Sequence, residues 1–184
     1  MFKSRDIAFI SVFTALLAAG AYIRIPFPVV PLTLQTLFVL IAAMFLGPVR
    51  SAISVSVYLL MGLAGLPVFT SGGGIFYVFS PTFGYLIGFI PSALLMGWLY
   101  QHIGRKTFLS GWSIGIAGVI LIYICGISYM FMLAGSGKID APGFSGIFTL
   151  GFAVTILADI FKSAVASAAV LKLRSAFPKA SHDR

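Results

Sequence analysis

The chain has 184 residues, of which 60% are hydrophobic and only 9% are charged, with a formal net charge of +8. A soluble protein of this length could not cover its surface with so few charged side chains, so lipid is the expected solvent. The basic residues lie singly or in pairs between apolar runs, which excludes a continuous nucleic-acid-binding face. The single cysteine, Cys125, excludes an internal disulfide and a cysteine-cluster metal site.

Six apolar segments follow one another along the chain. A helix that crosses a bilayer needs about 20 residues, and the segments cover residues 7–23, 32–46, 51–66, 84–100, 109–133 and 147–173. We therefore predict an all-α membrane protein with six transmembrane helices and a single domain over residues 1–184. The second and third segments are slightly short, so they are expected to extend at their ends or to lie where the protein is thin.

The charges between these segments predict the orientation of the bundle. One side would carry nine basic residues: Lys3, Arg5, Arg50, Arg105, Lys106, Lys172, Arg174, Lys179 and Arg184. The other side would carry only Arg24 and Lys138. Because cytoplasmic loops are enriched in lysine and arginine, both termini are predicted to be cytoplasmic.

The third loop, residues 67–81, is uncharged and rich in aromatic residues although it should face outside. Its glycines, 72–74, allow positive φ and close approach of the backbone to a ligand. The favoured interpretation is a lid over an external pocket, because irregular backbone at membrane depth normally lines a cavity or is buried in protein. The alternative is an apolar loop that lies in the lipid interface, where aromatic residues also gather.

Polar groups within the apolar segments are the candidate functional residues. Asp159 and Lys162 are three residues apart and share a helical face, and charges inside membrane helices usually mark a substrate or ion path. The alternative is an ion pair that only fixes helix packing. Gln35, at the start of the second segment, offers a donor and an acceptor, although ordinary interhelical hydrogen bonding would also explain it.

Ala15 and Ala19 form a small-xxx-small pair on the first helix, a pattern that allows close approach of another helix. That helix could belong to a partner or to this chain. The stretch 135–138 is similar to the end of a phosphate loop, but Met132 and Ile139 break the pattern. We find no nucleophile with a plausible base, so the chain is expected to be neither an enzyme nor an ATP-binding protein, and to hold no cofactor or metal.

Several fragments together resemble BioY, the family of biotin-specific substrate-capture (S) components of energy-coupling factor (ECF) transporters. They are the sequences PLTLQT at 31–36, LGP at 46–48, GLPVF at 65–69, PTFGYLIGF at 81–89 and DIFK at 159–162. The family usually has glycine at the positions of Ser80 and Phe83, so this chain departs from the pattern there.

The resemblance implies a six-helix S-component fold in the bacterial plasma membrane, with a vitamin pocket near the external face. It implies partners as well: a membrane coupling (T) protein and two cytoplasmic ATPase subunits. Ala15 and Ala19 match the family pattern that contacts the coupling protein. Asp159 and Lys162 match the polar pair that contacts the vitamin, and biotin would be a transported ligand rather than a cofactor.

Biotin chemistry suggests a role for each candidate. The ureido ring needs donors and acceptors together, which Asp159, Lys162 and Gln35 can supply. Apolar walls for the thioether ring and aliphatic chain could come from Phe69, Phe76 and Tyr123, and donors for the carboxylate from Ser71, glycine amides such as that of Gly73, or Tyr85. The competing interpretations are a stand-alone carrier or facilitator for biotin or another small solute, an intramembrane enzyme and a structural membrane protein.

Overall fold

The computed structural model describes residues 3–26, 30–136 and 154–177. The predicted positions Lys138, Lys179 and Arg184, and the start of the sixth segment at residue 147, lie outside these residues. Within them the elements are α1 (Ser4–Tyr22), β1 (Arg24–Ile25), β2 (Leu32–Thr33), α2 (Gln35–Leu46), α3 (Pro48–Leu63), a 3-10 helix (Ile75–Phe79), α4 (Phe83–His102), α5 (Phe108–Gly135) and α6 (Val154–Ala176).

The structure is mostly helical, as predicted, and three of the helices in the described part of the chain are long and apolar enough to cross a membrane. These are α1, α4 and α5, whereas α2 and α3 are apolar but shorter. Helix α6 has 23 residues and carries Asp159, Lys162, Lys172 and Arg174.

Helix α2 is the centre of the bundle. It packs against α1, α3, α4 and α6, and every residue from Val39 to Leu46 is buried. A helix that is apolar on all sides is stable only when it is covered on all sides. With 12 residues, α2 is about 18 Å long, well short of the roughly 30 Å hydrocarbon core. Residues 30–34 in front of it contain the two-residue strand β2, and the cavity described below lies beside them.

A single glycine joins α2 to α3. Gly47 has φ 84°, a conformation that other residues rarely adopt, and Pro48 then occupies the first position of α3. The α4 backbone crosses this corner closely, because a Cβ at Gly97 would lie 2.4 Å from the Pro48 nitrogen. Any side chain at position 97 would therefore push α4 away from the corner.

The α1–α2 loop contains a short antiparallel ribbon. Strand β1 pairs with β2 so that Arg24 lies opposite Thr33 and Ile25 opposite Leu32. The amide of Leu34 donates to the carbonyls of Gly20 and Ile23 at the end of α1. The start of α2 is therefore tied to the end of α1.

The loop at 67–81 folds back onto the bundle. The amide of Gly74, at φ 108°, donates to the Gly62 carbonyl over 2.7 Å, and the loop is also held by hydrogen bonds from the Tyr22 hydroxyl to the Pro67 carbonyl and from the Tyr129 hydroxyl to the Val78 carbonyl. Phe69 and Tyr77 face inward, whereas Ile75 and Phe76 are exposed. The loop therefore buries some of its aromatic side chains and exposes others, and both the lid and the lipid-interface interpretations of it stay predictions.

Candidate functional site

A cavity lies at the end of the bundle that carries the α1–α2 and α3–α4 loops. It encloses about 510 Å³, part of which is open to solvent. Its wall is built from residues of the first loop, the start of α2, the 67–81 loop, α4, α5 and α6: Val30, Pro31, Leu32, Thr33, Gln35, Thr36, Thr70, Tyr77, Thr82, Tyr85, Leu86, Phe89, Ile122, Tyr123, Thr155, Asp159 and Lys162.

The ion pair of α6 lies in the cavity wall. Lys162 Nζ is 2.6 Å from Asp159 Oδ1, and both residues are buried. Lys162 Nζ also donates to the Thr33 carbonyl over 2.7 Å, and the Tyr123 hydroxyl donates to Asp159 Oδ2 over 2.8 Å. Because the two charges cancel, the pair is a neutral unit that offers both donors and acceptors. Its polar partners reduce the cost of burying two charges.

Gln35 is held in place from a second direction. Its Oε1 accepts a hydrogen bond from Thr33 Oγ1 over 3.2 Å, and its Nε2 donates to the Tyr58 hydroxyl over 2.6 Å. Tyr58 in turn donates to the Val68 carbonyl over 3.1 Å. The amide therefore has a fixed orientation at the start of α2, and it connects the α6 side of the cavity to the 67–81 loop.

A chain of hydroxyl groups lines the cavity on the side of that loop. Thr70 Oγ1 lies 2.9 Å from the Tyr77 hydroxyl, which lies 3.1 Å from Thr82 Oγ1. Ser80 Oγ lies 2.9 Å from the same Thr82 oxygen. These groups are neutral and can each donate or accept.

Apolar and aromatic side chains complete the wall. Leu86, Phe89 and Ile122 contribute aliphatic and aromatic surface, and Tyr85 packs edge-on against Tyr123 with the ring centroids 5.5 Å apart. The cavity therefore combines apolar walls with a few oriented polar groups, the arrangement that small-molecule sites share.

The structure brings together five of the residues singled out from the sequence. Gln35, Tyr85, Tyr123, Asp159 and Lys162 all line the cavity. Tyr123, which was assigned to an apolar wall, presents its hydroxyl to Asp159 and also lies 2.7 Å from Thr155 Oγ1.

Three further predicted site residues, Ser71, Gly73 and Phe76, lie outside the cavity wall, and so does Phe69, which the sequence predicts as part of the apolar wall. The Phe76 side chain is 81% exposed. At Gly73 a Cβ would lie 2.1 Å from the Leu66 carbonyl oxygen, which gives this glycine a packing role. Contact of these three residues with a ligand stays a prediction.

The positions that depart from the family pattern lie beside the cavity. Phe83 is buried between Tyr77 and Tyr129, with ring centroids 6.5 and 5.9 Å away, and it is not part of the wall. Ser80 belongs to the hydroxyl chain. The aromatic ring thus supports the 67–81 loop from behind.

Sequence reasoning missed Tyr58, Thr70, Tyr77, Thr82 and Thr155. Tyr58 does not line the cavity, but its hydroxyl fixes Gln35. Hydroxyl groups at positions that must be buried require partners, so Tyr58 and Tyr77 could have been flagged from the sequence. The hydrogen-bond partner of each hydroxyl could not have been predicted from the sequence.

No group of three histidine, cysteine, aspartate or glutamate side chains in the described ranges could hold a metal ion. What the site offers is a neutral acid–base pair, an oriented amide, hydroxyls and apolar surface. An apolar helical bundle with such a cavity at one end is the arrangement expected of a membrane protein that binds a small molecule.

Comparison with known proteins identifies the class further. The BioY family matches residues 1–179. The chain is 43% identical to a probable biotin transporter BioY from Lysinibacillus sphaericus, over 89% of this chain and 83% of that protein. It is 35% identical to the biotin transporter BioY of Thermotoga maritima, over 89% and 92% of the two chains.

The fold has a solved counterpart. The crystal structure of the S-component for biotin from an ECF-type ABC transporter superposes with a TM-score of 0.81, at 24% identity and with 95% of each chain covered. This chain therefore belongs to the BioY family and has the S-component fold. It is a multi-pass membrane protein of a transporter family and not an enzyme.

Proposed function

We propose that this chain captures biotin at the external face of the membrane, as the high-affinity substrate-binding subunit of an ATP-driven ECF transporter. The observation that carries the proposal is the buried Asp159–Lys162 pair in the wall of a cavity that is otherwise mostly apolar. The relatives named biotin transporters support the choice of ligand.

The polar groups of the cavity suit the ureido ring of biotin. This ring has one carbonyl acceptor and two N–H donors, so it needs partners of both kinds. Asp159 can accept from the N–H groups, and Lys162 or Gln35 can donate to the carbonyl. The thioether ring and aliphatic chain would contact Leu86, Phe89 and Ile122. This contact is favourable because it removes apolar ligand surface from water.

The proposed topology has six spans with both termini in the cytoplasm of a bacterial cell and the cavity facing outside. It is supported by the position of the basic side chains. Asp6 and Arg50 pair at the end opposite the cavity, and Arg174 donates to the Met44 carbonyl at that same end. Lys162 is in the cavity, and Arg24 is at the loop end. An excess of basic residues at one end is the signature of a cytoplasmic face.

The partners of this subunit would be a membrane coupling protein and two cytoplasmic ATPase subunits. Ala15 and Ala19 are both exposed on α1, so small side chains leave that helix face open to close approach by another helix. The whole chain, residues 1–184, would act as one transmembrane unit. The alternative is that it works alone as a carrier or facilitator for biotin or another small vitamin.

The test is biotin binding to the purified protein in detergent, with Asp159→Asn as the site variant and Asp6→Asn as the matched control. We expect tight binding by the wild type and the control, and a loss of about 10- to 150-fold in Asp159→Asn because hydrogen bonds to charged groups contribute about 1.5–3 kcal/mol. A folded wild type that binds no biotin would overturn the choice of ligand.

Uptake into proteoliposomes then separates the two modes of transport. Uptake that requires ATP, the coupling protein and the ATPases supports the ECF subunit. Equal uptake without those partners supports the stand-alone carrier instead.

A further inference from the structure

The loop end of the molecule has few positive charges. Within residues 3–26, 30–136 and 154–177, Arg24 is the one lysine or arginine at this end besides Lys162, which lies in the cavity wall. Lys162 is already engaged by Asp159 and the Thr33 carbonyl. Arg24 is therefore the cation at this end whose charge has no acidic partner among the described residues.

Arg24 lies at the edge of the cavity, held there by two elements. Through the β1–β2 ribbon its backbone is paired with Thr33, a residue of the cavity wall. Its guanidinium Nη1 donates to the carbonyl of Thr70, another residue of that wall. The side chain is exposed, and a carbonyl uses only one of its five N–H donors and leaves its charge uncompensated.

The polar groups inside the cavity do not provide a cation for an anionic ligand group. Asp159 and Lys162 cancel, and the hydroxyl chain of Thr70, Tyr77 and Thr82 is neutral. Two of the groups predicted from the sequence to donate hydrogen bonds to the ligand carboxylate, Ser71 and Gly73, lie outside the wall. An elongated ligand whose neutral ring contacts the ion pair could extend its carboxylate toward the Thr70 side, where Arg24 is placed.

We propose that Arg24 binds the carboxylate of the substrate and makes the site select a carboxylated ligand over its neutral analogues. This inference rests on the proposed function, with biotin as the ligand. Guanidinium groups bind carboxylates through two parallel N–H···O bonds, and these bonds are stronger than neutral ones. The present contact with the Thr70 carbonyl would hold the guanidinium at the cavity edge until the ligand arrives.

The competing role for Arg24 is to fasten the 67–81 loop through Thr70, without contact to the ligand. The two roles differ in their dependence on ligand charge. A fastening role would affect a charged and a neutral ligand equally, whereas a carboxylate contact would affect only the charged one.

The experiment measures the binding of biotin and of biotinamide, in which a carboxamide replaces the carboxylate, to purified wild type, Arg24→Gln and Arg24→Lys. We expect Arg24→Gln to weaken biotin binding about ten- to hundredfold and to leave biotinamide binding within about twofold. Arg24→Lys, which keeps the charge but loses the paired geometry, should be intermediate for biotin. Arg105→Gln, an exposed arginine at the opposite end, is the matched control and should change neither.

Two results would overturn the inference alone: an equal loss for both ligands in Arg24→Gln, or no loss for either. A wild type that binds neither compound would instead overturn the proposed function, and the inference would fall with it.

Discussion

Two acid–base pairs lie at opposite ends of this protein, and their surroundings differ. Asp159 and Lys162 are on one helix, 2.6 Å apart, in the wall of a cavity. Asp6 and Arg50 are on α1 and α3, 3.5 Å apart, and neither lines the cavity. The Asp6–Arg50 pair joins two helices, as a structural contact does. The pair within one helix lies where a ligand could reach it.

The two ends differ in packing as well. At the end that carries Asp6 and Arg50, the α2–α3 corner is crossed closely by α4, and the Arg174 guanidinium lies 4.9 Å from the centre of the Tyr100 ring. Partial burial and the nearby Arg174 charge lower the pKa of Lys106 in the α4–α5 loop. The loop end instead leaves a cavity. Buried polar groups thus serve helix packing at one end and, we infer, ligand binding at the other.

The largest effect is expected when one member of the cavity pair is removed. Lys162→Met leaves the Asp159 carboxylate buried without its cation, which costs about 3–5 kcal/mol in comparable sites. Replacing both residues in Asp159→Leu/Lys162→Met should restore most of this stability, because no unpaired charge remains. The melting temperature in detergent reports the first effect, and biotin binding should be lost in both variants.

Recovered biotin binding in the double variant would contradict a role for this pair in ligand contact. A double variant as unstable as Lys162→Met would contradict the electrostatic origin of the instability, and would point to a requirement for these side chains in packing.

A smaller effect, and on stability only, is expected at the other pair. Arg50 is partly exposed and its distance from Asp6 is long, so Arg50→Met should cost about 1 kcal/mol. Biotin affinity should stay within about twofold of the wild type, because neither Asp6 nor Arg50 lines the cavity. Thermal melting and ligand titration of the same sample provide the check, and a large loss of affinity would remove the distinction between the two pairs.

The smallest effect is expected from a single hydroxyl group. Tyr123→Phe removes the hydrogen bond to Asp159 Oδ2 and should lower biotin affinity about three- to tenfold, in line with a contribution near 1 kcal/mol. Tyr100→Phe is the matched control, because Tyr100 lies at the other end beside Arg174. Equal effects of the two substitutions on binding would show that the Tyr123 hydroxyl has no special role.

The sequence by itself determined the class of the protein and the strongest candidates in the site. Charge content and apolar runs are local properties, so the membrane assignment and the helices could be read from them. The spacing of three residues between Asp159 and Lys162 predicts that they share a helical face. Gln35 is a candidate because it is an amide at the start of an apolar helix. The family motifs directed attention to the same residues.

The tertiary structure decided which elements are neighbours, and through them the composition of the site. Lys162 contacts the Thr33 carbonyl across 129 positions of sequence, and Tyr58 fixes Gln35 from another helix. Helix α2 lies in the centre because the other helices of the bundle surround it, and the 67–81 loop turns Tyr77 inward and Phe76 outward. Periodicity and charge describe one segment at a time, whereas these contacts depend on how segments distant in sequence pack together. Only the packed bundle could therefore place Arg24 beside Thr33 and Thr70 at the edge of the cavity.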